Sequence, residues 1–551
     1  MRNWSVRFLF ITFIAASLIA RSTGESPARS LTETENSYAE LMDASNILAA
    51  IDSGLFVSYR GKGRAAWKQI QEKKYKEVAA GLTTVSAKEL SATDARAVML
   101  MHKGVESTSA ERAPLKHKMH CKDAQDSNLN GADLRSALYS CFDELGNNLE
   151  FEGKHVSRVS AFDLLTQINE PLRRRALFMS FVPLWKAVNG NDEPESPYRR
   201  MIAQSAAGAA KNGSPVDEAA KTLGVQPTQI EAWLLEILDA WREASGNHQI
   251  EPWDYRYFEG KAERLLSAAI PRESLLPITQ RYYKDLGADL QQLGILYDLN
   301  PRPGKAPLAY TDFVTRGHMV HEVWQPTVVY ISGNYARGGL GLLNEFVHEN
   351  GHGVHMMALH TRPAFMDLGD AVFYEAFADV PSWDTYEPSW QQKHLGMSAP
   401  ESDSLRALYS SVTLDVAWAL FEIRMLHNPA ADPNEVWTEI TSHYLHIVPH
   451  PELAWWAVRV QLVDAPGYMV NYGIGGMITA SIRHRIQESL GPFVTGNLRW
   501  YPWISEHLLR QGMEHETSIE LKEFLGGPVS PEGLIKDIQR IGSDVISRST
   551  N

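Results

Sequence analysis

The sequence contains 551 residues, of which 44% are hydrophobic and 22% are charged, so it has enough apolar material for a large globular core. Its 53 basic and 66 acidic residues give a formal charge of −13, which argues against a broad nucleic-acid-binding surface. The content of 15 Trp and 20 Tyr argues against extensive disorder.

The first 24 residues have the pattern of a secretory signal peptide. Arg2 and Arg7 precede and flank the apolar run Phe8–Ala20, and small residues follow as far as Gly24. The run is shorter than the roughly 20 residues that a transmembrane helix needs. An uncleaved anchor is the competing interpretation. We therefore expect an exported protein (periplasmic, extracellular or in an endomembrane lumen) with no stable membrane span after cleavage.

The sequence has only two cysteines, Cys121 and Cys141. In an exported protein an even number favours one disulfide, and two free thiols are the alternative. Two cysteines are too few for a thiolate zinc site, so any metal site in this chain must use histidines and carboxylates.

From about Ser37 onward the pattern is mostly helical. Apolar residues recur at spacings of three and four, as in IEAWLLEILDAWREA, and SPVDEAAKTLGV has Ser and Pro at a helix start and Gly near its end. The loop NPRPGKAP is the best candidate for a boundary between two lobes. We therefore expect a helical N-terminal lobe at 25–300 and a catalytic lobe at 301–551. PTVVYISGNY (326–335) predicts the clearest strand, and a helix resumes at about Leu340.

That helix carries FVHENGHGVH (346–355), with histidines at positions i and i+4. His348 and His352 share one helix face, where two imidazoles can hold one metal ion. Glu349 lies near enough to act as a general base on a water at that metal. Gly351 costs a helix up to about 1 kcal/mol relative to Ala, which indicates close packing or close substrate approach. The pattern predicts one Zn²⁺ per chain, against the alternative of a histidine-rich helix that arose by chance.

The third metal ligand is expected in VFYEAFADVPSW (372–383). Glu375 follows His352 by 375 − 352 = 23 residues, and Asp379 lies one helical turn further on. We expect Glu375 to complete the metal site with His348 and His352, and Asp379 to accept the free N–H of a ligand histidine. The reverse assignment of the two acids is the alternative.

These residues resemble the glutamate-ligand zinc peptidases called gluzincins. His348 to His355 and EPWDYRYFEGK (251–261) resemble the thimet oligopeptidase family, and YMVNYGIG (468–475) resembles its oligoendopeptidase branch. FYEAFADV resembles instead the third-ligand stretch of angiotensin-converting-enzyme-type dipeptidyl carboxypeptidases. FADVPS also aligns with the thimet-type pattern, in which Asp379 would be the ligand.

The resemblance implies a mainly α, two-lobed helical metallopeptidase with a deep substrate channel and a short β-sheet beside the zinc helix. It implies hydrolysis of oligopeptides by a metal-activated water, with Glu349 as the base. It also implies a tyrosine that stabilises the oxyanion, for which Tyr472 is the first candidate and Tyr468 the second. Packing within a glycine-rich helix is the alternative for both tyrosines.

Further substrate contacts follow from the same region. His355 lies close to the face of the metal ligands, and the strand with Tyr330 and Gly333 could pair with an extended peptide by β-augmentation. A peptidyl-dipeptidase or carboxypeptidase mode would need a fixed cation for the substrate C-terminus, for which Arg459 is a candidate. A non-catalytic, exported peptide-binding homologue is the other rival, although it would be expected to have lost Glu349. We expect a monomer.

Overall fold

The structure is a computed structural model that describes residues 30–85, 90–112, 119–302, 305, 309–320, 323–335 and 337–549. The predicted signal peptide at residues 1–24 lies outside these residues. No described helix is long and apolar enough to cross a membrane. The predicted division into lobes at residues 300 and 301 stays a prediction.

The described part of the chain is mainly α-helical. The helices before the central sheet are α1 (Leu31–Asp52), α2 (Arg64–Val85), α3 (Ala92–Arg112), α4 (Gly131–Glu144), α5 (Arg158–Gln167), α6 (Pro171–Met179), α7 (Val182–Asn189), α8 (Pro197–Asn212), α9 (Pro215–Leu223), α10 (Pro227–Ala244), α11 (Tyr255–Glu259), α12 (Lys261–Leu266), α13 (Leu275–Asp285) and α14 (Leu290–Leu293).

The helices after the sheet include the long ones that form the core of the C-terminal half. They are α15 (Leu340–Ala358), α16 (Ala371–Ser382), α17 (Pro388–Leu395), α18 (Glu401–His427), α19 (Pro433–Tyr444), α20 (Gln461–Asp464), α21 (Met469–Leu490), α22 (Trp500–Ile504), α23 (Thr517–Leu525) and α24 (Glu532–Ser549). Short 3₁₀ helices lie at Cys121–Gln125, Ser267–Ala269, Arg272–Ser274, Pro363–Phe365, Trp383–Tyr386 and Trp455–Val458, and a π-helical turn at Ser505–Leu509.

Local sequence signals explain the ends of several helices. Ser214 and Asp217 form a reciprocal capping box at the start of α9, where Pro215 occupies the first turn. Gly224 ends the same helix in the left-handed conformation, with φ of 69°. The predictions for SPVDEAAKTLGV and IEAWLLEILDAWREA are therefore confirmed by α9 and α10.

Seven short strands are described: β1 (Leu149–Phe151), β2 (Lys154–Val156), β3 (Leu296–Asp298), β4 (Tyr310–Thr315), β5 (His318–Val320), β6 (Val323–Gln325) and β7 (Val328–Ser332). The central sheet has the order β3-β7-β4, with β3 parallel and β4 antiparallel to β7. β7 is the predicted strand, and α15 follows it as expected.

The central sheet is covered by helices on both faces. Successive residues of a strand point to opposite faces, and the contacts follow this alternation. Val314 and Tyr330 pack in one apolar cluster with Ile47 of α1. Phe313 and Val329 pack in another with Met356 of α15. The sheet therefore separates the N-terminal helices from the helix that carries the histidines.

Cys121 and Cys141 form the disulfide that the sequence favoured, with their Cα atoms 4.4 Å apart. The bond joins the 3₁₀ helix at Cys121–Gln125 to α4. Both cysteines are buried in the main core, and the disulfide fastens two elements of the N-terminal half.

Candidate metal centre and active site

The candidate site is built where α15 and α16 cross closely. A Cβ on Gly351 would lie 2.8 Å from both the Cα and the main-chain oxygen of Ala378. No ordinary side chain fits at that distance, so glycine is needed for backbone contact between the two helices. The sequence expected close packing or substrate approach at Gly351, and the structure shows that the neighbour is α16.

This crossing brings together three side chains with metal-ligand chemistry. His348 Nε2 lies 3.3 Å and His352 Nε2 lies 3.7 Å from Oε2 of Glu375. One ligand atom from each residue lies within 4.8 Å of the others. Ligand atoms on bonds of about 2.0–2.2 Å around a tetrahedral zinc would be roughly 3.3–3.6 Å apart. The spacing of the three side chains thus suits that metal.

Asp379 occupies a different position from Glu375 around the same histidine. Its Oδ1 lies 2.7 Å from His348 Nδ1 and also accepts a hydrogen bond from Ser382 Oγ at 3.1 Å. An Nδ1–H that donates to a carboxylate leaves Nε2 with its lone pair facing Glu375. The two acids thus lie on opposite nitrogens of one imidazole.

The charges of these groups depend strongly on one another. Burial would lower the pKa of His348, but the hydrogen bonds and charges of Asp379 and Glu375 raise it well above its usual range. Burial would raise the pKa of Glu375, but hydrogen bonds from His348 and His352 lower it below its usual range. The Glu375 carboxylate therefore needs a nearby positive charge, which a bound dication would supply in place of a protonated imidazole.

The donor set is therefore compatible with zinc. Two imidazoles and one carboxylate are the three ligands expected of a catalytic zinc site, which keeps a further position open. His348 and Glu375 keep 18% and 28% of their side chains exposed, although burial strongly affects the pKa of both. Solvent therefore reaches both groups.

Glu349 follows His348 on α15, and its side chain is held by the sheet. The hydroxyl of Thr311 in β4 lies 2.7 Å from Glu349 Oε2 and 2.8 Å from its main-chain oxygen. Glu349 is buried, with 8% of its surface exposed. One carboxylate oxygen is therefore fixed by Thr311. The sequence analysis missed Thr311, because a single threonine in a strand carries no signal of a distant partner.

The two tyrosines predicted from the C-terminal region lie at the start of α21. Their rings are 5.4 Å apart, with Tyr468 at the N-cap and Tyr472 in the first turn. Burial and then the negative charge of Glu375 raise the pKa of Tyr472 to about 12. Tyr468 is hydrogen-bonded to Tyr374. Tyr472 thus keeps its proton at neutral pH and lies within electrostatic reach of Glu375.

Tyr374 was not singled out from the sequence. It precedes Glu375 on α16, and its ring centroid is 5.7 Å from that of His352. Burial, followed by the charge of Glu375, raises the pKa of Tyr374 far above its usual range. A third protonated phenol therefore lies next to a metal-ligand candidate, and its place in the sequence directly before a predicted ligand was the signal that could have identified it.

Glu422 holds the segment from which the tyrosines project. This fully buried residue of α18 accepts hydrogen bonds from the main-chain N–H groups of Gly467 and Met469, both at 2.8 Å. Gly467 has φ of 92°, a conformation that strongly favours glycine. Glu422 therefore fixes the turn on both sides of Tyr468. A lone acid in an apolar helix pattern gave no sequence signal of this contact.

The predicted pairing of a substrate peptide with β7 is wrong. β7 is the central strand of its sheet, and β3 and β4 occupy both of its edges. Gly333 N–H donates to Asp298 and its oxygen accepts from Lys305, while the side chain of Tyr330 is fully buried. Tyr330 and Gly333 are thus not accessible to a peptide in the way the sequence suggested.

The predicted substrate contact of His355 is also wrong. Only 1% of this residue is exposed, and its ring packs edge-on against Phe373 and Phe377 of α16. Burial, followed by the charge of His352, lowers the pKa of His355 to about 3. His355 is therefore a neutral part of the interface between α15 and α16.

Comparisons with known proteins identify the fold. No family model and no curated protein sequence matches the chain. The M32 carboxypeptidase from Deinococcus radiodurans R1 is 15% identical with a TM-score of 0.54, over 94% of this chain and 99% of that one. PZ peptidase A, solved with an inhibitor, is 14% identical with a TM-score of 0.56, over 95% and 99% of the two chains. A Bacillus anthracis protein assigned as an oligoendopeptidase F is 13% identical with a TM-score of 0.52, over 95% and 97%.

These similarities extend over nearly the full length of each chain. They confirm the predicted fold class, a mainly α, two-lobed metallopeptidase fold with a short β-sheet beside the helix of the histidines. At these identities the likeness concerns the fold, and the chemistry has to be argued from the residues themselves.

The first prediction concerns the crossing of α15 and α16. We expect Gly351→Ala to push the helices apart, because its Cβ would meet the backbone of Ala378, and so to separate His352 from Glu375. Zinc affinity, measured by competition with a chromophoric chelator, should fall by at least about tenfold.

The matched control for that variant is Gly208→Ala in α8. No atom lies within 4 Å of a Cβ built at Gly208, so this change should leave zinc affinity unaltered and favour the helix by up to about 1 kcal/mol. Equal zinc affinity in the Gly351→Ala variant and the wild type would contradict the proposed importance of the helix contact.

The second prediction concerns the buried acid on α18. Burial raises the pKa of Glu422 to about 8, from 4.5 for an exposed glutamate. Its protonated form therefore contributes stability that is fully present below about pH 4.5 and is lost as the pH rises through about 8. Between these values the free energy of unfolding of the wild type should fall with pH by up to about 1.4 kcal/mol per unit more steeply than that of Glu422→Gln.

Chemical denaturation at several pH values tests this expectation. Glu243→Gln, at an exposed position of α10, is the control and should keep the wild-type slope. If the Glu422→Gln and wild-type curves run parallel, Glu422 does not bind the proton in the folded state that its burial implies.

Proposed function

We propose that this protein is a zinc-dependent peptidase that hydrolyses oligopeptides. The observation that carries the proposal is the convergence of the partly exposed His348 and Glu375 with His352, with Glu349 next to His348 on the same helix. The fold shared with structures of peptidases and carboxypeptidases supports it. In this proposal Glu375 is the third ligand, because its oxygen faces the Nε2 atoms of both histidines.

Zinc bound by these ligands would acidify a water molecule and polarise the scissile carbonyl group. Glu349 would take a proton from the attacking water and return it to the leaving amine. Thr311 holds one oxygen of Glu349, so the other oxygen can receive the proton. Asp379 keeps His348 in the tautomer that presents Nε2.

The developing negative charge on the substrate carbonyl needs a hydrogen-bond donor in addition to the metal. Tyr472 is our first candidate, because its high pKa keeps the phenol protonated and it lies at the start of α21 near Glu375. Tyr468 is the second candidate, although its hydroxyl is engaged with Tyr374. Glu422 acts on the main chain on both sides of Tyr468, at the start of the helix that carries Tyr472, and would help to set the distance of both tyrosines from the substrate.

We also propose that the protein is exported and acts as a monomer. The proposal of export rests on the signal-like sequence of residues 1–24. The metal site is formed by residues of one chain, so a single copy would be sufficient for activity.

A second candidate mode is release of residues from the C-terminus of peptides. Arg459 keeps 25% of its side chain exposed, pairs with Asp415, and lies 6.0 Å from the ring centroid of Tyr472. Its Nε has no hydrogen-bond partner among the described residues. Burial, followed by the charges of Arg256 and Arg158, lowers the pKa of Arg459 to about 9.

Three guanidinium groups therefore lie close together, and within the described part of the chain Asp415 is the ion-pair partner of Arg459. The pKa of Arg158 and the pKa of Arg256 are each lowered to about 10, first by burial, and both groups lie over the ring of Phe162. A substrate carboxylate would relieve the repulsion among these cations. This observation favours the peptidyl-dipeptidase or carboxypeptidase mode over purely internal cleavage.

The third prediction tests the proposed peptidase activity. Glu349→Gln should retain about one zinc per chain, because the ligands remain. Its hydrolysis rate should fall by about 10²- to 10⁴-fold, because the general base is removed. Elemental analysis measures zinc, and mass spectrometry of a mixed oligopeptide library measures cleavage.

Glu345→Gln is the control for that variant, since it changes a partly exposed acid one turn earlier on α15 and should keep most of the activity. Zinc binding by the wild type without cleavage of any peptide would favour the rival, a non-catalytic peptide-binding protein. Absence of zinc from the purified wild type after zinc addition would contradict the whole proposal.

The fourth prediction tests the C-terminal mode with peptide pairs that differ only in a free or amidated C-terminus. The wild type should cleave the free acid with a kcat/KM at least about tenfold higher, the effect of one charge-assisted hydrogen bond. Arg459→Gln should remove most of this preference. Asp415→Asn, which keeps the arginine, should retain it, and equal cleavage of both peptides by the wild type would assign the enzyme to internal cleavage.

A further inference from the structure

The C-terminal end of α16 is bonded to the two helices that carry the other proposed catalytic groups. The last four carbonyl groups of an α-helix have no partner within the helix. In α16 the main-chain oxygen of Val380 accepts a hydrogen bond from Arg483 of α21. The main-chain oxygen of Ser382 accepts one from Asn344 of α15, at 2.8 Å. The end of the helix that carries Glu375 is therefore fixed to the helix of the histidines and to the helix of the tyrosines.

A second contact joins α16 to α21 one turn earlier. The hydroxyl of the fully buried Thr479 lies 2.9 Å from the main-chain oxygen of Ala376, the residue after Glu375. It also lies 3.1 Å from the main-chain oxygen of Gly475 in its own helix. The hydroxyl has a single proton, and the nearer acceptor is the one on α16. Thr479 and Arg483 are one turn apart on α21, and their acceptors are one turn apart on α16, so the two helices are joined over a full turn.

The same face of α21 presents the first candidate for the oxyanion donor. Thr479 and Arg483 follow Tyr472 by 7 and 11 residues, which is close to two and three helical turns. The phenol of Tyr472 therefore projects from the side of α21 that is bonded to α16. Besides burial, the charges of Glu375 and Asp379 raise the pKa of Tyr472, as expected for a phenol that is close to both acids. The distance between this phenol and Glu375 depends on how the two helices are joined.

We propose that Thr479 is a positioning residue for the oxyanion donor. Its hydrogen bond to Ala376 fixes α21 against the turn of α16 that carries Glu375, and so sets the distance between the phenol of Tyr472 and a substrate carbonyl at the metal centre. This inference rests on the proposed peptidase function, because it concerns the same site. A misplacement of about 1 Å in such a group can lower a reaction rate by about 10²-fold.

Thr479 is better suited to a test than Arg483. The guanidinium of Arg483 lies 2.7 Å from the carboxylate of Asp384, which is fully buried. Removal of the guanidinium would leave this carboxylate without the cation and destabilise the fold. Thr479→Val keeps nearly the same shape and removes only the hydroxyl that bonds to α16.

Kinetics of peptide hydrolysis by the full-length variants test the inference. Thr479→Val should lower kcat at least about tenfold. KM should change by less than about twofold, because the misplaced phenol acts only in the transition state. Thr479→Ser keeps the hydroxyl and should retain most of kcat. Both variants should bind zinc as the wild type does, because the contact between Gly351 and Ala378 still holds the ligand helices together.

Thr441→Val in α19 is the matched control. The hydroxyl of Thr441 is also buried, but its acceptors, the main-chain oxygens of Trp437 and Thr438, belong to its own helix. This change should have a similar effect on stability and leave kcat at the wild-type value. Thr479→Ala removes the same hydroxyl with a smaller side chain, and it replaces Thr479→Val if that variant does not fold.

Combination with Tyr472→Phe separates positioning from a general loss of packing. If Thr479 acts through the phenol, Thr479→Val should change kcat/KM by less than about twofold in the Tyr472→Phe background. Equal losses in both backgrounds, or a wild-type kcat in Thr479→Val, would overturn the inference and leave the peptidase proposal intact. A wild type that cleaves no peptide would refute the proposed function, and this inference with it.

Discussion

The candidate site depends on backbone contact between two helices. His348 and His352 can share a metal because they lie one turn apart on α15, but this pair alone gives only two ligands. The third side chain comes from α16, which reaches the histidines only because Gly351 has no Cβ to hold Ala378 away. Glycine within a helix is energetically unfavourable. A larger residue at this position, however, would move Glu375 away from the two histidines.

Around this contact, the neighbouring groups act mainly by fixing orientation. Asp379 determines which nitrogen of His348 faces the site, and Thr311 determines which oxygen of Glu349 stays free. Thr311 belongs to β4, whose side chains on the same face pack against α15. The sheet therefore contributes to the site by holding α15 and its general-base candidate, and β7 is too enclosed to contribute by binding a peptide.

The sequence was informative where functional residues lie close together along the chain. His348, Glu349 and His352 are three positions of one helix, and Glu375 with Asp379 are one turn of another, so helical periodicity predicted the placement within each helix. That the two helices meet depends on the contact between Gly351 and Ala378. Thr311 and Glu422 act through contacts between residues 38 and 45 or more positions apart. No local pattern encodes such contacts. The incorrect prediction that a peptide pairs with the strand of Tyr330 had a similar cause. An apolar strand has the same sequence pattern at the centre and at the edge of a sheet.

Glu422 illustrates why such a contact would be kept despite its cost. A fully buried glutamate without a cationic partner is unfavourable once it ionises, as its raised pKa indicates. Its two oxygens, however, accept the main-chain N–H groups on both sides of Tyr468. An apolar residue at this position would remove the cost and leave those N–H groups without partners. The position of the tyrosines would then depend on side-chain packing alone, and a hydrogen-bond donor has to be placed to within a fraction of an ångström to stabilise an oxyanion.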